Sequence, residues 1–264
     1  LEGLKRTDDI APDLTDDARI GAPGSGTARR MAAHPEKSIA VLPFDNLSDD
    51  KENDYFAAGV HDDILSNLAK VADLKVISRT SVQQYKSGAR NLRDVGLALG
   101  VAHILEGTAR RAGNHVRINA QLIDARTDSH IWGETFDREI TDLFAVQSEL
   151  AERITVALRA NLSPREKISL RTHSTKDVVA YELFLRARDL FRWAGSGDSG
   201  SNGPEALRLI DQAIARDPEF SLAYALASRV QSELYWFGDD KRATRLDMAK
   251  VTADTALRLR PASC

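Results

Sequence analysis

Val116-Arg-Ile-Asn-Ala-Gln-Leu-Ile-Asp124 alternates side-chain character with a period of two. Val116, Ile118, Ala120 and Leu122 fall on one side, and Arg117, Asn119 and Gln121 on the other. A strand with that pattern buries one face and leaves the other wet, the signature of an antiparallel sheet with one covered face. Working outward, two further strands fit at residues 104–110 and 130–136, so the stretch predicts the middle strand of three. Ala112-Gly113-Asn114 and Ala125-Arg-Thr-Asp128 supply the turns between them.

Upstream, Ser38-Ile-Ala-Val-Leu-Pro-Phe44 is short, β-rich and apolar on both faces, as expected of a buried strand that stops at Pro43. A polar segment, residues 45–53, follows. Tyr55, Phe56, Val60, Ile64, Leu65, Leu68 and Val71 then recur at spacings of three and four and predict an amphipathic helix. A second strand is expected at residues 74–78. Asn91 is placed to cap a shorter helix through Leu92, Val95, Leu97 and Leu99 that Gly100 stops. Downstream of the three strands, Leu143, Phe144, Val146, Leu150, Ile154, Val156 and Leu158 predict a long amphipathic helix. The order β-α-β-α-β-β-β-α indicates one mixed sheet covered by helices, an α/β domain over residues 37–162.

Residues 1–36 show no apolar period, and Gly21-Ala-Pro-Gly-Ser-Gly26 reads as part of a linker rather than a phosphate loop. Beyond Ser163-Pro164 only helical patterns remain, an all-α helical-hairpin domain over residues 163–264. Ala180-Tyr181, Ala206, Ala213 and Pro218 recur 43 positions later as Ala223-Tyr224, Ala249, Ala256 and Pro261, which predicts two repeats. Small residues at the alanine positions let the paired helices approach closely. Gly195, Gly197 and Gly200 match a dinucleotide fingerprint literally, but a helical segment precedes them where a strand is required, so a connecting loop is expected.

The chain has 264 residues and a net charge of −3, with 42% apolar and 28% charged residues. That is the balance of a folded globular protein, without the basic footprint of direct nucleic-acid binding. Its single cysteine, Cys264, excludes an internal disulfide and a cysteine-based zinc site. The longest apolar run falls far short of the roughly 20 residues that span a bilayer, so no membrane insertion is expected. The chain opens on Leu1 and ends just after a helical pattern, and is expected to be part of something longer.

The six histidines lack the spacing of two ligands on one helix face, and no metal or cofactor is expected. His61-Asp62-Asp63 reads as a solvated helix face, and Asp45, Asp49 and Asp50 as loop residues. No serine sits in a nucleophile-elbow sequence, so no catalytic residue is assigned. Trp193, Tyr235, Trp236 and Phe237 read as packing residues between helices unless they prove to be exposed together.

The second half resembles tetratricopeptide repeats, with extra length between the paired helices. The first half resembles the TolB-amino-terminal-like domain of bacterial signalling proteins. The segments that carry this likeness are Ser38-Ile-Ala-Val-Leu-Pro-Phe-Asp-Asn-Leu-Ser48, Asp54-Tyr-Phe-Ala-Ala-Gly59, Val76-Ile-Ser-Arg-Thr-Ser81, Leu99-Gly-Val-Ala-His-Ile-Leu-Glu-Gly107 and the middle strand, continued by Trp132 and Phe136-Asp137-Arg138. The resemblance implies a domain that lies C-terminal to a winged-helix regulator, a class III nucleotide cyclase or a serine/threonine kinase, and that carries no agreed catalytic residues. Such domains occur on both sides of bacterial membranes, so no compartment is assigned.

Two uses follow. In the first, the chain is a non-catalytic interaction and sensory module that binds a protein or peptide along the first helix of each hairpin. With Tyr181 and Tyr224 facing the core, the outward positions are Glu182, Arg186, Asp189, Arg229 and Ser232. In the second, a small-molecule receptor or enzyme has its site above the sheet near Asp45, Asn46, Arg79 and Thr80, which follow the first two strands. A dimerising spacer, a homodimer through an edge strand or an apolar helix face, is a third role.

Overall fold

The computed structural model describes residues 34–48, 53–86, 91–194, 202–237 and 241–260. Nearly all of the expected linker, together with Asp49, Asp50, the whole Gly195–Gly200 loop, the Trp193 side chain, Pro261 and Cys264, lies outside the described residues.

A sheet is built from β1 (Ser38–Val41), β2 (Asp45–Asn46), β3 (Lys75–Val76), β4 (His103–Ala112), β5 (His115–Asp124) and β6 (Ser129–Glu139). The strand order is β3-β1-β4-β5-β6, with β2 beside β4. β1 runs parallel to both β3 and β4, whereas β4, β5 and β6 form an antiparallel meander. The sheet is therefore mixed and surrounded by helices, as expected. Two details differ from the sequence reading. Asp45–Asn46 pairs in parallel with Thr108 and Ala109, where a polar loop was expected, and the second strand keeps only two residues.

The alternation along β1 feeds two cores. Ile39 and Val41 join Leu105, Ile118, Ala120, Leu122 and Phe136 under α1 (Asp54–Ala69) and α4 (Leu143–Ala157). Ala40 and Leu42 join Val82, Val95 and Ile104 under α2 (Arg79–Val82) and α3 (Leu92–Leu99). Each large apolar side chain so buried is worth about 1.5–3 kcal/mol relative to exposure. The ends of α3 are set as the residues dictate. The Asn91 side chain accepts from the Arg93 amide, and Gly100 closes the helix at φ +66°, a conformation a side chain would strain.

Next comes α5 (Pro164–Leu170), opened by a capping box in which Ser163 and Glu166 each bond the other's backbone amide. Four longer helices follow: α6 (Val178–Ala194), α7 (Gly203–Arg216), α8 (Ser221–Trp236) and α9 (Ala243–Leu259). α6 packs on α7, α7 on α8, and α8 on α9. Arg216, at the end of α7, pairs with Asp177, just before α6, so these two helices run antiparallel. Ala180, Ala206, Ala213, Ala223 and Ala249 are all buried, which lets neighbouring helices approach closely. α6 and α8 begin 43 residues apart.

Candidate functional site

α1 is buried nearly all round, because the sheet covers one side and α6 the other. That overturns the reading of His61-Asp62-Asp63 as a solvated face. His61 lies 3.0 Å from the Val41 carbonyl, turned toward the sheet. Asp62 Oδ2 accepts a 2.9 Å hydrogen bond from Arg79, at the start of α2, and lies 3.1 Å from Arg188 Nη2 on α6. Asp63 Oδ2 accepts from the Tyr181 hydroxyl on α6 and, at 2.8 Å, from Gln147 on α4.

A second contact lies along the same pair of helices. Arg111 of β4 donates to the Tyr55 hydroxyl at 2.9 Å and stands 2.5 Å from Glu182 of α6. The Arg186 guanidinium sits 5.1 Å from the centre of the Tyr55 ring. Between these polar groups Leu185 presses on Gly59, and Phe144 meets the Tyr181 ring edge-on at 5.1 Å.

Burial shapes the ionisation here. It pushes the Asp63 carboxyl above the ordinary value, and the Asp62 charge adds to this. The Arg188 charge and the bonds from Tyr181 and Gln147 pull the other way. The Tyr181 phenol is raised well above its usual value by burial and by the Asp63 charge. A carboxyl that keeps its proton more readily beside a phenol is an arrangement found at catalytic sites and in structural networks alike. This one is packed between helices, and the hollow described below lies elsewhere, at the end of β1.

A Ser–His pair also forms that the sequence did not announce. Ser148 Oγ lies 3.0 Å from His173 Nε2. The serine hydroxyl donates to the Leu170 carbonyl at 2.8 Å, so its hydrogen is committed and the imidazole is the donor. Burial, Lys70 and Arg260 lower the His173 pKa. The pair ties α4 to the segment after α5 and lacks the geometry of an activated nucleophile. Among the described residues, no three of His, Cys, Asp and Glu come together as a metal site. No described helix is long and apolar enough to cross a membrane.

The residues assigned to partner binding divide in two. Glu182 does not face outward as expected, because it is drawn in by Arg111. Arg186 is exposed above Tyr55, and Asp189 is half-buried, with its carboxyl raised by burial against the opposing charge of Lys86. Arg229, the equivalent of Arg186 one repeat on, is exposed 5.1 Å from the Phe191 ring centre and pairs with Glu233 at 3.2 Å. Ser232 donates to the Ser228 carbonyl.

The four residues assigned to a small-molecule site do not converge. Asp45 lines a hollow of about 170 Å³ with Glu106, Thr108, Asn119 and Gln121. Asn46 instead bonds Asp54, Arg79 holds Asp62, and Thr80 is exposed. Trp236 and Phe237 are 63% and 77% exposed, which reverses their reading as packing residues.

Residues 35–153 match the family model described as the second domain of HilA/YgeH-like transcriptional regulators. The chain is 39% identical over 223 residues to a protein of Rhizobium meliloti (strain 1021) named putative adenylate cyclase 3. The match covers 83% of this chain and 37% of that protein, so the chain spans little more than a third of its relative. Among solved structures, lipoprotein GNA1162 from Neisseria meningitidis is 20% identical at a TM-score of 0.36, over 45% of this chain and 96% of the other. TolB from Acinetobacter baumannii is 16% identical at a TM-score of 0.36, over 46% of this chain and 28% of the other.

Proposed function

We propose that this chain is a non-catalytic sensory and interaction segment of a longer bacterial regulatory protein, and that its helical hairpins, read as tetratricopeptide-like, bind a partner protein or peptide. The observation that carries this reading is the match of residues 35–153 to a domain of transcriptional regulators. The likeness to a protein named putative adenylate cyclase supports a place beside a separate effector domain, since the chain spans only 37% of it. Arg186 and Arg229 are the residues to which an acidic or aromatic partner segment would bind. Both are exposed, occupy equivalent positions on successive hairpins, and hold their guanidinium groups over aromatic rings.

The test is the affinity of a purified partner, obtained by cross-linking to this chain, for the wild type and for the Arg186→Glu/Arg229→Glu variant. Loss of two charge contacts should weaken binding by about tenfold or more, or roughly 1.4 kcal/mol, without lowering the melting temperature. An unchanged Kd would remove Arg186 and Arg229 from consideration as the binding residues.

A second reading, a small-molecule receptor, is favoured by the hollow beside Asp45 at the carboxyl end of β1, where ligands of open α/β sheets bind. A melting-temperature screen against nucleotides and metabolites tests it. A reproducible shift that Asp45→Ala abolishes would establish a ligand, and turnover of that ligand would replace the interaction reading.

A further inference from the structure

We infer that the docking of α6 on α1 is a releasable latch, a conformational switch between the sheet and the helical hairpins. The inference stands on the pattern of partners across the contact, whether or not the hairpins bind another protein. Three groups on the sheet side each have at least one partner on their own side and one on α6. Asp62 has Arg79 and Arg188. Asp63 has Gln147 and Tyr181. Arg111 has Tyr55 and Glu182. When α6 leaves, every sheet-side charge keeps a partner, while Tyr181, Glu182 and Arg188 pass to water. Opening therefore avoids the heavy cost of stranding a buried charge that makes ordinary buried ion pairs hard to break.

For the two ion pairs the quality of the bonds follows the same division. Arg79 donates a hydrogen bond to Asp62, and Arg111 donates one to Tyr55. Across the contact, Arg188 Nη2 approaches Asp62 and Glu182 Oε1 approaches Arg111 without an aligned hydrogen bond, and Arg188 Nε is buried with no hydrogen-bond partner. Tyr181 of α6 bonds Asp63 and Gln147 across the contact, so only the two ion pairs there are looser than their sheet-side counterparts. Leu185 on Gly59 and Tyr181 on Phe144 set the closed position, within an apolar core that α6 shares with α1 and α4.

The experiment compares the whole chain with Arg188→Glu, which faces Asp62, and separately with Glu182→Lys, which faces Arg111. Small-angle scattering reads compactness, and hydrogen exchange by mass spectrometry reads local protection. The latch predicts that both variants expand, with α6 amides exchanging at least tenfold faster and β4–β6 amides keeping wild-type protection. Unchanged scattering in either variant overturns it. Loss of β4–β6 protection together with α6, or failure of either variant to fold, also overturns it, because the network would then be part of one indivisible core.

Discussion

Leu185 of α6 occupies the space that a side chain on Gly59 of α1 would need: a Cβ built at Gly59 would lie 2.5 Å from Leu185 Cδ1. The leucine is buried and has little room to give way. Gly59→Ala is therefore expected to lower stability by about 1–3 kcal/mol through overpacking. Leu185→Ala should cost about 2–5 kcal/mol through the cavity it leaves. In the double variant the alanine methyl enters that cavity, so urea unfolding should show a loss clearly smaller than the sum. Additive losses would mean that the two residues are not in contact.

Asp62 is the counter-ion of two arginines, and the consequence is a marked non-additivity. Removing either guanidinium, by Arg79→Met or Arg188→Met, leaves the largely buried carboxylate with the other. Each change is expected to cost about 1–2 kcal/mol in chemical denaturation, the range for a hydrogen bond or ion pair with a charged group. Removing both takes away both arginine charges from the carboxylate, and the loss should then reach about 3–5 kcal/mol, more than the sum of the single losses at their lower end. Single losses that simply add would show that neither arginine makes up for the loss of the other at Asp62.

What was legible in the chain and what was not divides along the range of each signal. The alternation around Val116–Asp124, the cap at Asn91 and the stop at Gly100 are local, and each was read from a few adjacent residues. The short pairing of Asp45–Asn46 with β4 was not legible, since two residues carry no period. The network was hidden for a different reason. Asp63 meets Tyr181 across 118 positions, and no helical pattern announces that a charged residue will be covered by a later helix. A signal was nonetheless present. α1 carries apolar residues on more sides than one covering sheet can use, so a second covering surface was implied. The same blind spot affected Glu182, which outward geometry placed in solvent and Arg111 draws in.

Asp63 sets a pH dependence whose sign follows from burial. Its folded-state pKa lies above the ordinary 3.8, so the folded chain binds this proton more tightly than the unfolded chain does. The stability it contributes is full below that ordinary value and is lost as pH rises through the raised folded pKa. Asp63→Asn holds a neutral group at the same place and still accepts from Tyr181. Its stability should vary less with pH above about 4 than that of the wild type, with a net change within about 1 kcal/mol at pH 7. Asp63→Ala leaves the Tyr181 hydroxyl without its acceptor and Gln147 with only the Tyr181 oxygen, at 3.3 Å, and should cost about 1–3 kcal/mol. Parallel stability–pH curves for the wild type and the asparagine variant would count against a perturbed carboxyl at this position.

The exposure of Trp236 decides between two opposite roles. A tryptophan that packs between helices loses about 3–5 kcal/mol on truncation to alanine, and even its replacement by phenylalanine disturbs a close-packed site. One that stands in water is nearly indifferent, within about 0.5 kcal/mol. At 63% exposure, next to Phe237 at 77%, the second case applies. Trp132 is half-buried, and subtracting the Trp236→Phe spectrum from that of the wild type isolates the emission of Trp236 alone. That difference should have a solvent-like, red-shifted maximum and should be strongly quenched by acrylamide, while the unfolding midpoint stays put. A blue-shifted, protected difference spectrum, or a midpoint loss above about 1 kcal/mol, would return Trp236 to a packing role and remove the exposed aromatic pair from any account of partner binding.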